Sequence, residues 1–179
     1  ALMADEKTKE AIPHYKTAIE LNPEFAQGHF TLGNALMADE KTKEAIVHYQ
    51  TAVKLNSRLA EAYNNLGTAM FKQRMIEEAI TYYKEAIRVQ PDYAKAYNNL
   101  GIALVAEGKN KEAIDYYKEA IRILPGFYVA HYNLGIVLFQ KAEIREAIHH
   151  FRETLRLKPD LIAARDYLKL ALLQLQKIE

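Results

Sequence analysis

The chain has 179 residues, half of them hydrophobic (50%), which is enough apolar material to bury a sizeable core. Its 24 basic and 23 acidic residues leave a net charge of +1, so charge gives no reason to expect nucleic acid as a partner, and no apolar run is long enough for direct membrane insertion. Cysteine is absent, which excludes disulfides, zinc-thiolate sites and cysteine nucleophiles but leaves the cellular compartment open.

A period of 34 residues runs along the chain. Residues 60–93 nearly repeat as residues 94–127, and glycine, alanine and aromatic residues recur at the same spacing elsewhere. The recurring positions are Gly33, Gly67, Gly101 and Gly135, then Ala45, Ala79, Ala113 and Ala147, then Tyr49, Tyr83, Tyr117 and Phe151. A fixed period of this length is typical of a two-helix unit stacked on copies of itself.

Residues 1–25 are predicted to form a partial repeat. Residues 1–12 are identical to residues 35–46. In register with the period, the chain starts in the middle of a repeat's first helix, so we interpret it as a fragment of a longer array. A helix is predicted over residues 8–21, with Pro13 in its first turn, where the missing N–H breaks no hydrogen bond.

Four full repeats are predicted at residues 26–59, 60–93, 94–127 and 128–161. Each should hold a first helix of about 13 residues, a short turn and a second helix of about 14 residues. A glycine inside a helix costs about 1 kcal/mol relative to alanine. Its recurrence in every first helix therefore predicts a close approach between the two helices of a pair.

Residues 162–179 are predicted to hold one more amphipathic helix, which caps the stack. Its predicted packing face consists of Leu168, Ala171, Leu172 and Leu175. Another side carries Tyr167, Leu170 and Leu173, and either further chain covers these residues or they mediate self-association through this helix. Full burial of one leucine contributes about 1.5–3 kcal/mol, so two exposed leucines favour a contact.

These repeats resemble the tetratricopeptide repeat (TPR) family. The family pattern is an aromatic residue, Leu-Gly and a large residue on the first helix, then Ala, an aromatic residue, Ala and Pro. One repeat fills it in order with Tyr63, Leu66, Gly67, Met70, Ala79, Tyr83, Ala86 and Pro91. The resemblance covers essentially the whole chain and implies one continuous all-α domain, a right-handed superhelix (α-solenoid) of stacked antiparallel helix pairs. It also implies a scaffold that binds peptides or partner proteins and rarely does chemistry.

The six histidines do not indicate a catalytic or metal site. They stand mostly where other repeats have tyrosine: His29 and His131 in first helices, and His14, His48 and His150 in second helices. His149 and His150 are adjacent, so they point about 100° apart on a helix and cannot chelate one ion together. No phosphate loop, nucleophile elbow or metalloprotease motif occurs. We therefore predict packing roles for the histidines, no enzymatic activity, and neither a metal nor a cofactor.

The candidate binding residues are the asparagines two positions before a repeat glycine, Asn65, Asn99 and Asn133. The TPR resemblance implies that this position lies on the inner, concave surface of the superhelix. An amide both donates and accepts hydrogen bonds, so it can pair with a peptide backbone of any sequence. The series is similar to that in the TPR arm of the O-linked GlcNAc transferases, where asparagines hold extended substrate segments. The alternative interpretation is that these asparagines are solvated polar residues with no role in binding.

The same concave surface is predicted to include Asn34, Asn64, Asn98, Phe30, Phe71, Lys95, Tyr132 and Phe139. Each backbone hydrogen bond contributes about 0.5–1.5 kcal/mol, and micromolar affinity needs about 8 kcal/mol. Side-chain pockets must therefore supply most of the binding energy. The surface becomes more apolar toward the C-terminal end, where Val105 and Ile136 either line it or pack against the neighbouring first helix.

The leading hypothesis is a non-catalytic scaffold for protein–protein interaction that binds an extended peptide or a partner helix. Two alternatives stay open: a substrate-targeting arm of a larger enzyme such as a glycosyltransferase, and a homo-oligomeric structural scaffold joined through the chain ends. Binding of a chaperone's acidic tail is disfavoured, because Phe30 and Asn99 stand where the family's carboxylate clamp needs cations.

Overall fold

The computed structural model describes residues 2–178, with side chains from Ala11 onward. Over these residues all regular structure is helical. The helices are α1 (Leu2–Leu21), α2 (Ala26–Ala38), α3 (Thr42–Leu55), α4 (Ala60–Lys72), α5 (Ile76–Val89), α6 (Ala94–Ala106), α7 (Asn110–Ile123), α8 (Tyr128–Gln140), α9 (Ile144–Leu157) and α10 (Ile162–Leu175). Two compact units contain them, α1–α5 up to Pro91 and α6–α10 from Asp92 onward. None of the described helices is long and apolar enough to cross a membrane.

Helix lengths alternate along the four repeats. The first helices α2, α4, α6 and α8 have 13 residues and the second helices α3, α5, α7 and α9 have 14, which confirms the predicted lengths. Within each unit every helix packs on the next one in sequence. First helices of neighbouring pairs also touch, α2 with α4 in the first unit, and α6 with α8 and α8 with α10 in the second. Each unit therefore has a surface built from these helices alone, which we call its first-helix face.

Glycine and an aromatic ring bring the helices of a pair together. A Cβ added to Gly33 would lie 2.6 Å from Cε1 of Tyr49, and one added to Gly101 would lie 2.6 Å from Cε1 of Tyr117. Both distances are too short for a real contact. The two tyrosines are 1% and 2% exposed. Burying such a ring outweighs the helix-propensity cost of glycine, about 1 kcal/mol, so the predicted close approach is confirmed.

The turn inside each pair contains one residue with a left-handed backbone. These residues recur with the period: Glu40 (φ 59°), Arg74 (φ 65°), Gly108 (φ 78°) and Ala142 (φ 61°). The next residue closes the turn, as where the Lys109 N–H donates to the Leu104 carbonyl at 2.9 Å. A residue with a Cβ loses about 1–2 kcal/mol in this conformation. Packing of the two helices therefore imposes the turn even where the sequence offers no glycine.

One sequence adopts two structures in this chain. Residues 36–46 end α2, turn and begin α3, whereas residues 2–12, identical in sequence, lie within the continuous helix α1. The predicted start of that helix at Thr8 is wrong, and Pro13 lies inside a 20-residue helix rather than in a first turn. In the later copy the turn follows a helix whose Leu36 is fully buried. The earlier copy instead continues through these residues as one helix, which its helix-forming residues favour locally.

The last helix, α10, differs from the other first helices. Ala171 of the predicted packing face is fully buried and Leu168 and Leu175 are half-buried, but Leu172 is 37% exposed and Ala164 is fully buried as well. Lys169 stands 34 residues after Gly135 and is exposed. Because the glycine position is where a second helix presses its aromatic ring, a lysine there blocks the packing of another second helix in the same way.

Candidate functional site

In the first unit the predicted asparagines form a hydrogen-bonded cluster across neighbouring first helices. The Asn65 amide of α4 donates to Oδ1 of Asn34 on α2 at 2.8 Å. The Tyr49 hydroxyl of α3 donates to the same oxygen, also at 2.8 Å. Asn64 donates to Oδ1 of Asn65 at 3.2 Å. Three helices thus fix the orientation of the Asn65 amide, which is half-buried.

The second unit holds a related chain of amides. Asn133 on α8 donates to Oδ1 of Asn98 on α6 at 2.9 Å, and Asn98 donates to Oδ1 of its neighbour Asn99 at 3.3 Å. An amide has two N–H groups and an oxygen that accepts two bonds. The internal bond donated by Asn133 therefore leaves it able to donate and accept again toward a ligand. Asn99 and Asn133 are both half-buried, as Asn65 is.

Three of the predicted contact residues have little surface to offer. Phe30, Asn64 and Asn98 are 8%, 5% and 3% exposed. Their contacts are structural: Asn64 and Asn98 donate to Asn65 and Asn99, and the centroid of the Phe30 ring lies 6.2 Å from that of Tyr49. The predicted contact surface is therefore narrower than the sequence indicates.

The other candidates keep accessible surface. Lys95 is exposed near the start of α6, and Asn34 and Phe71 are half-buried on α2 and α4. Tyr132 and Phe139 on α8 are half-buried as well. Among these residues Asn34 alone is tied to the amide cluster, through the two bonds that its oxygen accepts.

Tyr167 lies in an aromatic cluster and not on the free side of α10. Its ring stacks on Phe151 with centroids 5.4 Å apart, and it meets Tyr132 and Phe139 edge-on at 6.1 Å and 6.0 Å. Tyr167 therefore belongs to the packing face of α10. The predicted free side of α10 is thereby reduced to Leu170 and Leu173, which are 52% and 47% exposed.

A pocket of about 210 Å³ opens beside the amide cluster of the first unit. It is lined by Asn34, Met37, Tyr49, Asn65 and Thr68. The Tyr83 hydroxyl donates to Oγ1 of Thr68 at 3.3 Å. Burial raises the pKa of Tyr49, so its hydroxyl stays a donor at neutral pH. We call this space the polar pocket.

A second pocket, of about 190 Å³, lies on the second unit. It is lined by Ile102, Val105, Tyr117, Asn133, Ile136 and Val137. We call it the apolar pocket, because five of the six positions contribute aliphatic or aromatic carbon. Val105 and Ile136, whose roles the sequence leaves open, both line it and stay half-buried.

Sequence reasoning missed Tyr49 and Tyr117 as pocket residues, because they occupy the core aromatic position of the second helix. A signal was present: the position holds tyrosine where phenylalanine would pack equally well, as Phe151 does. A hydroxyl on a core ring indicates that the ring's edge reaches a polar space.

The histidines form two pairs and no metal centre in the part of the chain that the structure describes. Nδ1 of His29 lies 3.1 Å from Nδ1 of His48, and Nδ1 of His131 lies 3.0 Å from Nδ1 of His150. The two rings of each pair are tilted relative to each other, with centroids 5.3 Å and 5.2 Å apart. Tyr97 and Tyr116 pack in the corresponding places, consistent with the predicted exchange of histidine for tyrosine.

Comparison with known proteins gives the same repeats. Family models of the tetratricopeptide repeat match residues 58–125 and residues 104–172, and a TPR repeat model matches residues 1–40 and 33–73. No curated protein is significantly similar to the chain in sequence.

Many solved structures share the fold. MamA is 29% identical with a TM-score of 0.79, and the match covers 88% of this chain and 92% of MamA. YrrB, a TPR protein with an unusual peptide-binding site, is 24% identical with a TM-score of 0.74, over 94% of this chain and 87% of YrrB. PilF of Pseudomonas aeruginosa is 22% identical with a TM-score of 0.78, over 98% of this chain and 86% of PilF. With matching repeat models from residue 1 to residue 172 and an all-helical solenoid fold, the chain belongs to the tetratricopeptide repeat family.

Proposed function

We propose that the protein is a non-catalytic scaffold whose first-helix faces bind an extended peptide segment of a partner protein. The observation that carries the proposal is the pre-oriented amide of Asn65 and of Asn133, each held by a bond that it donates to a neighbouring first helix and each bordering a pocket. An amide fixed in this way loses little conformational entropy when it pairs with a peptide backbone. Peptide binding by YrrB, which has the same fold, supports this use of the surface.

The test is selection of binders from a displayed library of random peptides. Affinities of the selected peptides are then compared between the wild type and an Asn65→Ala/Asn99→Ala/Asn133→Ala variant. We expect the variant to bind about tenfold more weakly or worse, since each lost hydrogen bond costs roughly 0.5–1.5 kcal/mol.

The matched control changes three residues at the same spacing on second helices, Lys84→Ala/Lys118→Ala/Arg152→Ala, all exposed. It should bind the selected peptides as the wild type does. Both variants must first show wild-type circular dichroism and melting. Equal affinity of the asparagine variant and the wild type would mean that Asn65, Asn99 and Asn133 are solvated polar residues with no role in binding.

A second candidate function is assembly through α10, favoured by the exposure of Leu170 and Leu173. These side chains leave an apolar strip on the outer side of the last helix. Nothing else in the second unit covers that strip among the described residues, since α10 packs only on α8 and α9.

A third candidate function is that of a substrate-targeting arm of a larger enzyme such as a glycosyltransferase. The asparagine series supports this alternative through its resemblance to the TPR arm of the O-linked GlcNAc transferases. The coding sequence on either side decides it: a catalytic domain in the same reading frame supports the alternative, and stop codons exclude it.

A further inference from the structure

The apolar pocket is an open depression lined by three helices of the second unit. Ile102 and Val105 come from α6, Tyr117 comes from α7, and Asn133 and Ile136 come from α8. Its volume of about 190 Å³ exceeds that of a dry apolar cavity of about 150 Å³ that accepts benzene. The space therefore suits one bulky side chain.

The polar pocket offers an internal comparison, because its lining residues stand 68 positions earlier in the sequence. Two positions account for the difference in polarity between the two pockets: Asn34 corresponds to Ile102, and Thr68 corresponds to Ile136. Asn34 accepts a bond from the Tyr49 hydroxyl, whereas isoleucine at position 102 offers Tyr117 no acceptor. An apolar ligand group in the polar pocket would cover the N–H groups of the Asn34 amide without giving them an acceptor.

The equivalent positions one repeat later show which kind of side chain fits into this space. Moving one period onward from the apolar pocket, Asn133 becomes Tyr167, Tyr117 becomes Phe151 and Val105 becomes Phe139. There the Tyr167 ring stacks on Phe151 at 5.4 Å and meets Phe139 edge-on at 6.0 Å. The chain itself fills the corresponding space with a ring that lies against the aromatic residue of the second helix.

We propose that the apolar pocket is a specificity subsite that takes one bulky apolar side chain, leucine to phenylalanine in size, from a peptide ligand. Asn133 lies at its edge and holds the adjoining peptide backbone. The proposal rests on the proposed function and adds a sequence requirement to it: the bound segment carries a bulky apolar residue opposite the second unit. The polar pocket does not share this preference.

The test uses capped amino acids as probes, so that it does not depend on finding a peptide ligand. N-acetyl-phenylalaninamide, N-acetyl-leucinamide and N-acetyl-glutaminamide are titrated into the protein while the methyl resonances of Ile102, Val105 and Ile136 are followed by NMR. The two apolar probes should shift these resonances with affinities about tenfold or more above that of the glutamine probe.

Two variants plug or convert the pocket. Asn133→Tyr should fill it as Tyr167 fills the next place, and Asn65→Tyr is the matched control in the polar pocket. Ile102→Asn/Ile136→Thr gives the apolar pocket the residues of the polar one. We expect Asn133→Tyr to lose the probe-induced shifts at all three residues, the double variant to lose the shift at Val105, its remaining reporter, and Asn65→Tyr to keep all three; if Asn133→Tyr does not fold, the Val105 shift of the double variant decides.

The proposal is overturned if the apolar probes leave these methyl groups unshifted in the wild type, or if both pocket variants bind the probes as the wild type does. Its failure is separable from that of the proposed function. Selected peptides that need the asparagines but leave the pocket methyls unshifted would remove the subsite alone. Probe binding in the pocket, together with a library that yields no peptide, would remove the proposed function alone.

Discussion

A histidine pair on α8 and α9 replaces the tyrosine pair found in the preceding repeat. Nε2 of His131 lies 3.2 Å from the Pro125 carbonyl, which can only accept, so this nitrogen carries a proton. In the neutral pair Nδ1 of His150 then donates to Nδ1 of His131 at 3.0 Å. Protonating His131 removes that acceptor. Burial, followed by the charge of His131, lowers the pKa of His150 to about 4, and burial lowers the pKa of His131 as well.

The pair should make stability fall in mild acid. Because both folded pKa values lie below the ordinary value of 6.5, the unfolded chain binds more protons as the pH drops below 6.5, and stability present at pH 7 is lost toward pH 4. We expect His131→Tyr/His150→Tyr to lose less stability than the wild type between pH 7 and pH 5. The difference should be about 1 kcal/mol after solvent screening, or a few degrees in Tm. Melting followed by circular dichroism measures it; identical pH dependence in both proteins would contradict the argument.

The sequence predicts these residues better than their interactions. Histidine standing in a tyrosine position is visible from the period alone. The bond to Pro125 is not, because it depends on where the loop before α8 places a carbonyl. The same holds for Asn34 and Asn98: their positions on first helices follow from the repeat, but their roles as acceptors for Asn65 and Asn133 depend on how neighbouring helices pack.

At the scale of helices and turns, the left-handed residues of the four turns form a matched set for mutation. Gly108 has nothing within 4 Å of an added Cβ, so Gly108→Ala introduces backbone strain without a clash and should destabilise the protein by about 1 kcal/mol. Ala142→Gly relieves the strain at the corresponding turn and should stabilise by up to about 1 kcal/mol, the gain being reduced by glycine's greater freedom when unfolded. Urea unfolding measures both; changes of the same sign would refute the explanation.

The elements themselves are largely readable from the sequence. The period sets the lengths of α2–α9, and the recurring glycines predict the close helix pairs. The exception is α1, which is one continuous helix over the earlier copy of the sequence of residues 36–46. A local pattern predicts local structure only while the tertiary contacts that it assumes are present.

At the scale of the whole molecule, the period predicts the fold and the family, while the ends are harder to predict. Tyr167 looks free in sequence because it stands on the side of α10 away from Leu168 and Leu172, yet its ring is drawn onto Phe151. Amphipathic spacing alone cannot tell which of two apolar sides a terminal helix buries, since both would gain from burial.

Assembly through α10 makes a measurable prediction. We expect the wild type to show a mass by light scattering that rises with concentration, and Leu170→Glu/Leu173→Glu to stay monomeric. The variant should melt as the wild type does, because both leucines are about half exposed in the chain itself, 52% and 47%. The same mass for both proteins at every concentration would exclude this helix as the interface.

Lys169 determines what kind of assembly α10 can support. Pairing α10 with a second helix of another copy, as α8 pairs with α9, needs a small residue where α8 has Gly135, and α10 has Lys169 there. Contact through Leu170 and Leu173 instead pairs one face with the same face of a second copy. In this two-fold arrangement each copy buries the surface that a further copy would need. Assembly through this face alone would therefore give a closed dimer and not a fibre.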